Sequence, residues 1–505
     1  MKRQYIYIIA ILASAVMMTS CEKWLDETAS SEIREEAHFS TEEGFRQSLI
    51  GCYINMTDNA LYGKDLSWGM VEMMARQFTP YALAGSTTGD YYLQNYGFTA
   101  TSAVSRIEAT WAQAYNVIAN ANAALANIDA KKGIMDPINY NVYKGEFLAI
   151  RAYMHFELMR LFGYGNWAGR KSEIDGKYAV PYVTVVSKNP VPQVKSQEFF
   201  KLLIADLETA AELLGESDPL TGKKAWNEYA DVNIDGFYNF RSLHLNYYAV
   251  KALMARAYLW EGSAESKVKA LAAAEEVIEK YFSSGDNLDS YNVTRWMNDT
   301  DYNTYPAMAL EQIFALNINP DKFTNATSAY LKANYADTDE SVYYLTTDAT
   351  VALYENSSTD YRLTKLLYHH PDGINAGYAP LKLQQNTSYN KNYSNRVALI
   401  RMPEMYYIAA ECYLAQGNVA KALELLTVVR NQRGVYDELN AEMSVEEAQN
   451  EIKKEYHKEF LCEGVMFYYY KRTGAETLPL WEGTVGDEQY VLPYPTFEIQ
   501  NGRIQ

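Results

Sequence analysis

The chain has 505 residues, 48% apolar and 21% charged, a balance that supports a large hydrophobic core and excludes disorder as its main state. With 45 basic against 63 acidic residues the formal charge is −18, which repels phosphate backbones and argues against nucleic acid as a partner. Four cysteines are too few for a disulfide scaffold, while 44 tyrosines against 17 phenylalanines and 8 tryptophans suit wet contact surfaces.

In chain order, Met1, Lys2 and Arg3 form a basic start and residues 5–18 an apolar run. The run is shorter than the about 20 residues a membrane-spanning helix needs and fits the core of a secretory signal peptide. It ends in Met18, Thr19 and Ser20 before Cys21, as in a bacterial lipobox. The two readings are removal of residues 1–20 with acylation of the Cys21 thiol, or an ordinary signal peptide with an incidental cysteine.

Ser40 and Glu43 are spaced as a capping box, and Phe45, Leu49 and Tyr53 follow at steps of four. Helical patterns then cover 111–128, where Trp111, Tyr115 and Ile118 share a face, and 143–162 up to Gly163. Further helices are expected over 199–214, 243–261, 267–282, 401–416, 419–433 and 445–463, the last opened by a second capping box, Ser444 with Glu447. Ala255, Tyr258, Leu259 and Gly262 recur at the same offsets as Ala410, Tyr413, Leu414 and Gly417, each set followed by an Ala-rich helix. Small residues let two antiparallel helices approach, the tyrosine fills the next groove and glycine ends the first helix, as in a tetratricopeptide pair. A weaker copy surrounds Arg151, Ala152 and Tyr153.

Residues 62–105, 283–345 and 354–398 lack helical periodicity and are rich in Tyr with Asn, Asp, Gly and Ser. Connections this long are usually functional. The expected architecture is mainly all-α: a tetratricopeptide-like helical repeat scaffold carrying long irregular, Tyr-rich loop excursions that form a ligand face.

The chain contains no HExxH, GxSxG, P-loop or CxxC pattern, and the adjacent His369 and His370 cannot share a helix face. Cys52, Cys412 and Cys462 lie in apolar helical patterns and are read as buried small hydrophobes. Asp231, Asn233, Asp235 and Gly236 imitate the start of an EF-hand loop, but Ser242 stands where the bidentate Glu belongs. A polar turn ahead of Arg241 is the favoured reading, and no metal or cofactor is expected.

Several stretches, taken in order, resemble the SusD/RagB family of outer-membrane lipoproteins of the Bacteroidetes. Cys21, Trp24, Leu25 and Asp26 are similar to its opening; Trp111, Tyr115, Ile118, Asn122 and Leu125 to its first long helix; Arg151, Ala152 and Tyr153 through Arg160 and Gly163 to the next. Arg401, Glu404 and Glu411 resemble a third helix, Arg430, Arg433 and Gly434 the end of its partner, and Pro493, Pro495, Glu498 and Ile499 the C-terminal motif. One departure stands out: Tyr456 follows Glu455, Val465 and Met466 follow Gly464, and the run Phe467 to Tyr470 replaces an aromatic-Asp pair. Glu455, Glu459, Glu463 and Arg472 remain, and are read as a structural ion-pair and packing site.

The resemblance implies a lipoprotein signal peptide at 1–20 and a single SusD-like domain at 21–505, with an N-terminal part of about 21–260 and a C-terminal part of about 261–505. It implies a binding protein rather than an enzyme, lipid-anchored through Cys21 to the outer membrane and exposed at the cell surface. Its partner would be a SusC-like TonB-dependent transporter, and its ligand an oligosaccharide or, in some branches, a peptide. A helical glycoside hydrolase is the remaining alternative, because a catalytic carboxylate pair is spaced in three dimensions rather than in sequence. Sugar rings need aromatic faces edged by fixed polar groups, and two loops hold that mixture. The first carries Asp65, Trp68, Arg76, Tyr81, Tyr91 and Tyr92; the second carries Asn292, Trp296, Asn298, Tyr302 and Tyr305.

Overall fold

The computed structural model describes residues 35–78, 88–283, 294–333, 342–373, 376–385 and 388–504; Cys21 and the apolar run before it lie outside these. Long helices dominate. We label them α1 (Glu42–Met56), α2 (Thr101–Ile128), α3 (Pro137–Phe162), α4 (Ser196–Ser217), α5 (Tyr247–Glu261), α6 (Ala264–Ser283), α7 (Met402–Ala415), α8 (Val419–Gln432), α9 (Val445–Glu459) and α10 (Met466–Thr473).

Each helix from α1 to α8 packs on its neighbour in the sequence, and α9 closes on α7 and α8. This is the stacking of a helical repeat. Local chemistry sets the boundaries. Asp136 caps α3 by accepting from the Ile138 N–H at 2.7 Å, with Pro137 in the first turn where its missing N–H costs nothing. Asn246 caps α5 in the same way, and Gly262 ends it at φ +71°, a conformation that disfavours any side chain. The Ser444 and Glu447 capping box of α9 forms as expected. The one expected at Ser40 does not. Thr41 is the N-cap of α1, Ser40 Oγ donates to the Ala37 carbonyl, and Glu43 is taken by Arg46 and Gln47.

Four helices, α2, α3, α5 and α9, differ from the sequence reading by four residues or more at one end. α2 starts ten residues early: Ala103, Ile107 and Thr110 continue its buried face, but Ala103 is too small and Thr110 too polar for the stripe to register as hydrophobic periodicity. α9 stops at Glu459, and residues 461–464 form a tight turn in which Cys462 and Gly464 have φ of 64° and 68°. Cys462 is therefore in a turn rather than a helix, although it is buried like Cys52 and Cys412.

α3 lies at the centre and is buried on all sides. Its polar residues are satisfied internally. Arg151 pairs with Asp206 at 2.6 and 2.8 Å and reaches Asn122. His155 donates from Nδ1 to the Arg151 carbonyl and accepts at Nε2 from the Val183 N–H, and burial pushes its pKa down to about 3. It is a neutral strut of the core.

The excursions between helices hold short antiparallel strands. β1 (Tyr178–Pro181) pairs with β2 (Gln193–Lys195), β3 (Gln312–Asn317) with β7 (Arg396–Arg401), and β6 (Gly377–Pro380) lies between β4 (Leu345–Thr346) and β5 (Leu367–His370). β7 is buried along its whole length and runs directly into α7, which fixes the second half of the loop region against the helical stack.

Candidate functional site

A buried ionic network underlies the loop region. Arg433 grips both oxygens of Glu311 at 2.9 and 2.6 Å and both of Glu459 at 2.9 and 2.8 Å. Arg401 bridges Glu459 and Glu463, and Arg362 bridges Asp360 and Glu455. Burial alone would raise the pKa of Glu459, but Arg433 and Arg401 outweigh it and hold the carboxyl well below the usual range. Glu455, Glu459 and Glu463 thus act as counter-ions inside the fold, and Arg472 pairs with Glu411.

Against this base sits a cleft of about 330 Å³, lined by Tyr302, Asn303, Tyr305, Lys365, Gln384 and Tyr389 among others. Its lining rings Tyr302 and Tyr305 are backed by a small aromatic and methionine cluster that also holds Met297, Met308, Tyr393 and Tyr361. Tyr305 meets Tyr393 edge-on at 5.2 Å. The floor is strained. Ala307 and Met308 adopt φ of 51° and 54°, costly for residues with a side chain. The Ala307 N–H donates to the Lys382 carbonyl, and the Ala307 carbonyl accepts from Gln312, which holds the conformation. Lys382 is only 4% exposed; its ammonium donates to Glu463 and to the Glu459 carbonyl, so the floor is bolted to the ionic network.

Tyr302 is 7% exposed and its hydroxyl has no hydrogen-bond partner among the described residues. Burial pushes its pKa up, as it does for Tyr389, so both are neutral phenols. A buried hydroxyl left unpaired beside a cleft is a polar group waiting for an acceptor or donor from outside. The cleft thus offers ring faces, side-chain amides and hydroxyls in one place.

Of the residues expected at a ligand face, the structure brings Tyr302 and Tyr305 together here. Asn298 is exposed nearby in sequence, but its Oδ1 is committed to a turn, accepting from Thr300 and Asp301. Trp296 is half-buried outside the cleft lining, packed on Tyr406 with the Arg433 guanidinium over its ring. Tyr81 and Asn292 lie outside the described residues.

The first loop corrects the expectation. Trp68 is 0% exposed and packs on Tyr330, so it presents no face to a ligand. Asp65 is buried and paired with Arg106, which Asp90 holds from its other side. Arg76 donates to the carbonyls of Gln94 and Leu480 and covers the Trp481 ring. These three tie the loop to the fold. Tyr91 and Tyr92 are half-buried, in edge contact with each other, and do not line the cleft. Sequence reasoning missed Lys365, Gln384 and Tyr389, which enter from the segment 354–398. Its Tyr-rich composition was visible, but nothing local showed that it folds back over residues 302–307.

A second cleft, of about 450 Å³, lies between α4 and the α5–α6 hairpin. Its aromatic floor, Trp167 and Tyr258, is nearly sealed, and its cations are already paired, Lys171 with Glu261 and Lys269 with Glu265. It offers less to a ligand. The EF-hand-like segment is a turn: Asn233 accepts from the Tyr238 N–H and Asp235 pairs with Arg46. Among the described residues no group of three or more His, Cys, Asp or Glu side chains could hold a metal ion.

Comparison with known proteins gives the class. The family model described as starch-binding associating with outer membrane, SusD-like, matches residues 23–230, and that of the SusD family, SusD/RagB, matches residues 276–503. The chain belongs to the SusD/RagB family. SusD-like proteins P25 and P2 of Formosa agariphila are 27% and 26% identical over 168 and 215 residues, 32% and 42% of this chain. The matched stretches span 31% and 38% of those relatives' own lengths. A SusD superfamily protein from Bacteroides thetaiotaomicron superposes with a TM-score of 0.72 at 21% identity, covering 92% of this chain and 99% of that one. A putative sugar binding protein from Bacteroides vulgatus does so at 0.68 and 20%, covering 92% and 98%. This chain shares the fold of both solved structures.

Proposed function

We propose that the protein is a cell-surface glycan-binding lipoprotein that captures oligosaccharides in the Tyr302–Tyr305–Tyr389 cleft and delivers them to a SusC-like TonB-dependent transporter of the outer membrane. The observation that carries the binding reading is the cleft itself, where ring faces and an unpartnered buried hydroxyl meet side-chain amides. The starch-binding, outer-membrane description of the matching family and the sugar-binding neighbour support the ligand class and the location. Anchoring would run through Cys21; no helix among the described residues is long and apolar enough to cross a membrane.

A sugar stacked on one ring removes ~60 Å² of apolar surface from water, worth about 1.5 kcal/mol. Tyr305 and Tyr389 together then supply about 3 kcal/mol against an association cost of at least that size, so hydrogen bonds must add the surplus. The resulting affinity lies between about micromolar and millimolar, which suits a protein that passes its cargo on.

Affinity electrophoresis against a polysaccharide panel, followed by calorimetry, tests this. Tyr305→Ala and Tyr389→Ala should each weaken binding about tenfold, the loss of one ring platform. Unchanged affinity in both variants removes the cleft as the site. Incubation with the bound polymer should deplete it without shortening it; release of products would instead support a glycoside hydrolase.

A further inference from the structure

The charge arrangement around this cleft goes one step further than ligand class. Among the described residues its lining includes no carboxylate, and its charged groups are Lys365 and Lys382. Lys382 lies beneath the floor with its ammonium committed to Glu463 and the Glu459 carbonyl, so it is not offered to a ligand. Lys365 is the accessible cation, with its side chain 32% exposed. Asp299 stands beside it, 2.9 Å from Nζ and 53% exposed, so its carboxylate faces solvent at the point where an anionic ligand would approach Lys365. Two residues on, the Asp301 carboxylate is already held by Arg295 at 2.7 and 2.9 Å.

We propose that Asp299 makes the cleft selective for uncharged glycans by masking Lys365, the group that would otherwise take a uronate or a sulfate ester. This rests on the reading of the cleft as a glycan site. A uronate reaching for Lys365 meets the Asp299 carboxylate at close range, and like charges forced together are how specific sites reject the wrong partner. The chain's net charge of −18 acts in the same direction but is screened beyond about 8 Å at physiological ionic strength, so the local pair decides. Neutral hydroxyls meet no such barrier, because the Asn303 and Gln384 amides need only exchange water for sugar. An exposed pair of this kind adds little to stability, so replacing Asp299 leaves the fold intact.

The test uses the full chain and the neutral polysaccharide that binds it best, alongside the same polymer after carboxymethylation. The wild type should bind the carboxymethylated form at least tenfold more weakly. Asp299→Asn should regain at least tenfold affinity for that form, in a manner that falls with added salt, and keep its affinity for the neutral polymer. Adding Lys365→Gln to that variant should erase the gain. Equal binding of both polymers by the wild type, preference for acidic polymers, or no gain in Asp299→Asn overturns the selectivity while leaving glycan binding in place. Failure to bind any polymer in a panel of neutral and acidic glycans overturns the glycan reading itself, and the selectivity with it.

Discussion

Trp68 and Tyr305 stand in similar sequence surroundings, polar and aromatic, yet one is sealed in the core and the other edges a cleft. Trp68→Ala should cost about 3–5 kcal/mol, the range for emptying a large buried aromatic site, and the loss should appear as a lowered urea midpoint. The indole N–H has no partner to lose, so the cost is packing. The same assay on Tyr305→Ala should show a much smaller change. A sequence names the side chain but not the direction from which later segments cover it. Trp68 is capped by Tyr330, far along the chain, and no local pattern around residue 68 announces that contact.

At the scale of elements, the repeat was readable because its signals are local. The Ala, Tyr and Gly offsets mark the α5–α6 and α7–α8 hairpins, and Gly262 and Gly417 do adopt left-handed conformations, at φ 71° and 76°. Their surroundings differ. A Cβ at Gly417 would meet open space, while one at Gly262 would come 2.7 Å from the Ala168 Cβ. Gly417→Ala should therefore cost about 1 kcal/mol for the backbone conformation alone, and Gly262→Ala at least about twice that, since the hairpin must also shift from residue 168. Chemical denaturation of the two variants side by side measures the difference. Strands β3 to β7 are not marked in the sequence, because they are two to six residues long and, apart from the local β5–β6 pair, join across large sequence separations. Glu455, Glu459, Glu463 and Arg472 do form ion pairs inside the fold, but with partners the sequence does not name: the three glutamates meet Arg362 and Arg401, and Arg472 meets Glu411.

For the whole molecule, the ionic core predicts how the protein responds to acid. Burial would raise the Glu455 pKa, but Arg362 and Lys458 outweigh it and hold it at about 2, against an ordinary 4.5. A carboxyl whose pKa is depressed on folding contributes stability that is complete above the unfolded value and disappears as pH falls through the folded one. Glu455 alone accounts for about 3 kcal/mol in that window. Glu146, held at about 2 by Arg241 and His244, adds in the same direction. Thermal melting should drop steeply between pH 4.5 and 2; between 6.5 and 4.5 the buried, neutral His155 and His457 already weaken the fold as pH falls, while the buried, protonated Glu72 acts the other way. Glu455→Gln should melt lower at pH 7 and show a shallower acid slope.

The same network makes this half of the fold depend on a late segment of the chain. Arg362, Arg401 and Arg433 precede in sequence the carboxylates of residues 455–463 that complete their neutralisation. Without that last segment, closing the centre of this half would entomb three guanidinium groups with too few counter-ions. Asp360 and Glu311 are two carboxylates for three guanidinium groups, so a chain truncated before residue 455 should leave this half of the core open, with α9 as its missing latch.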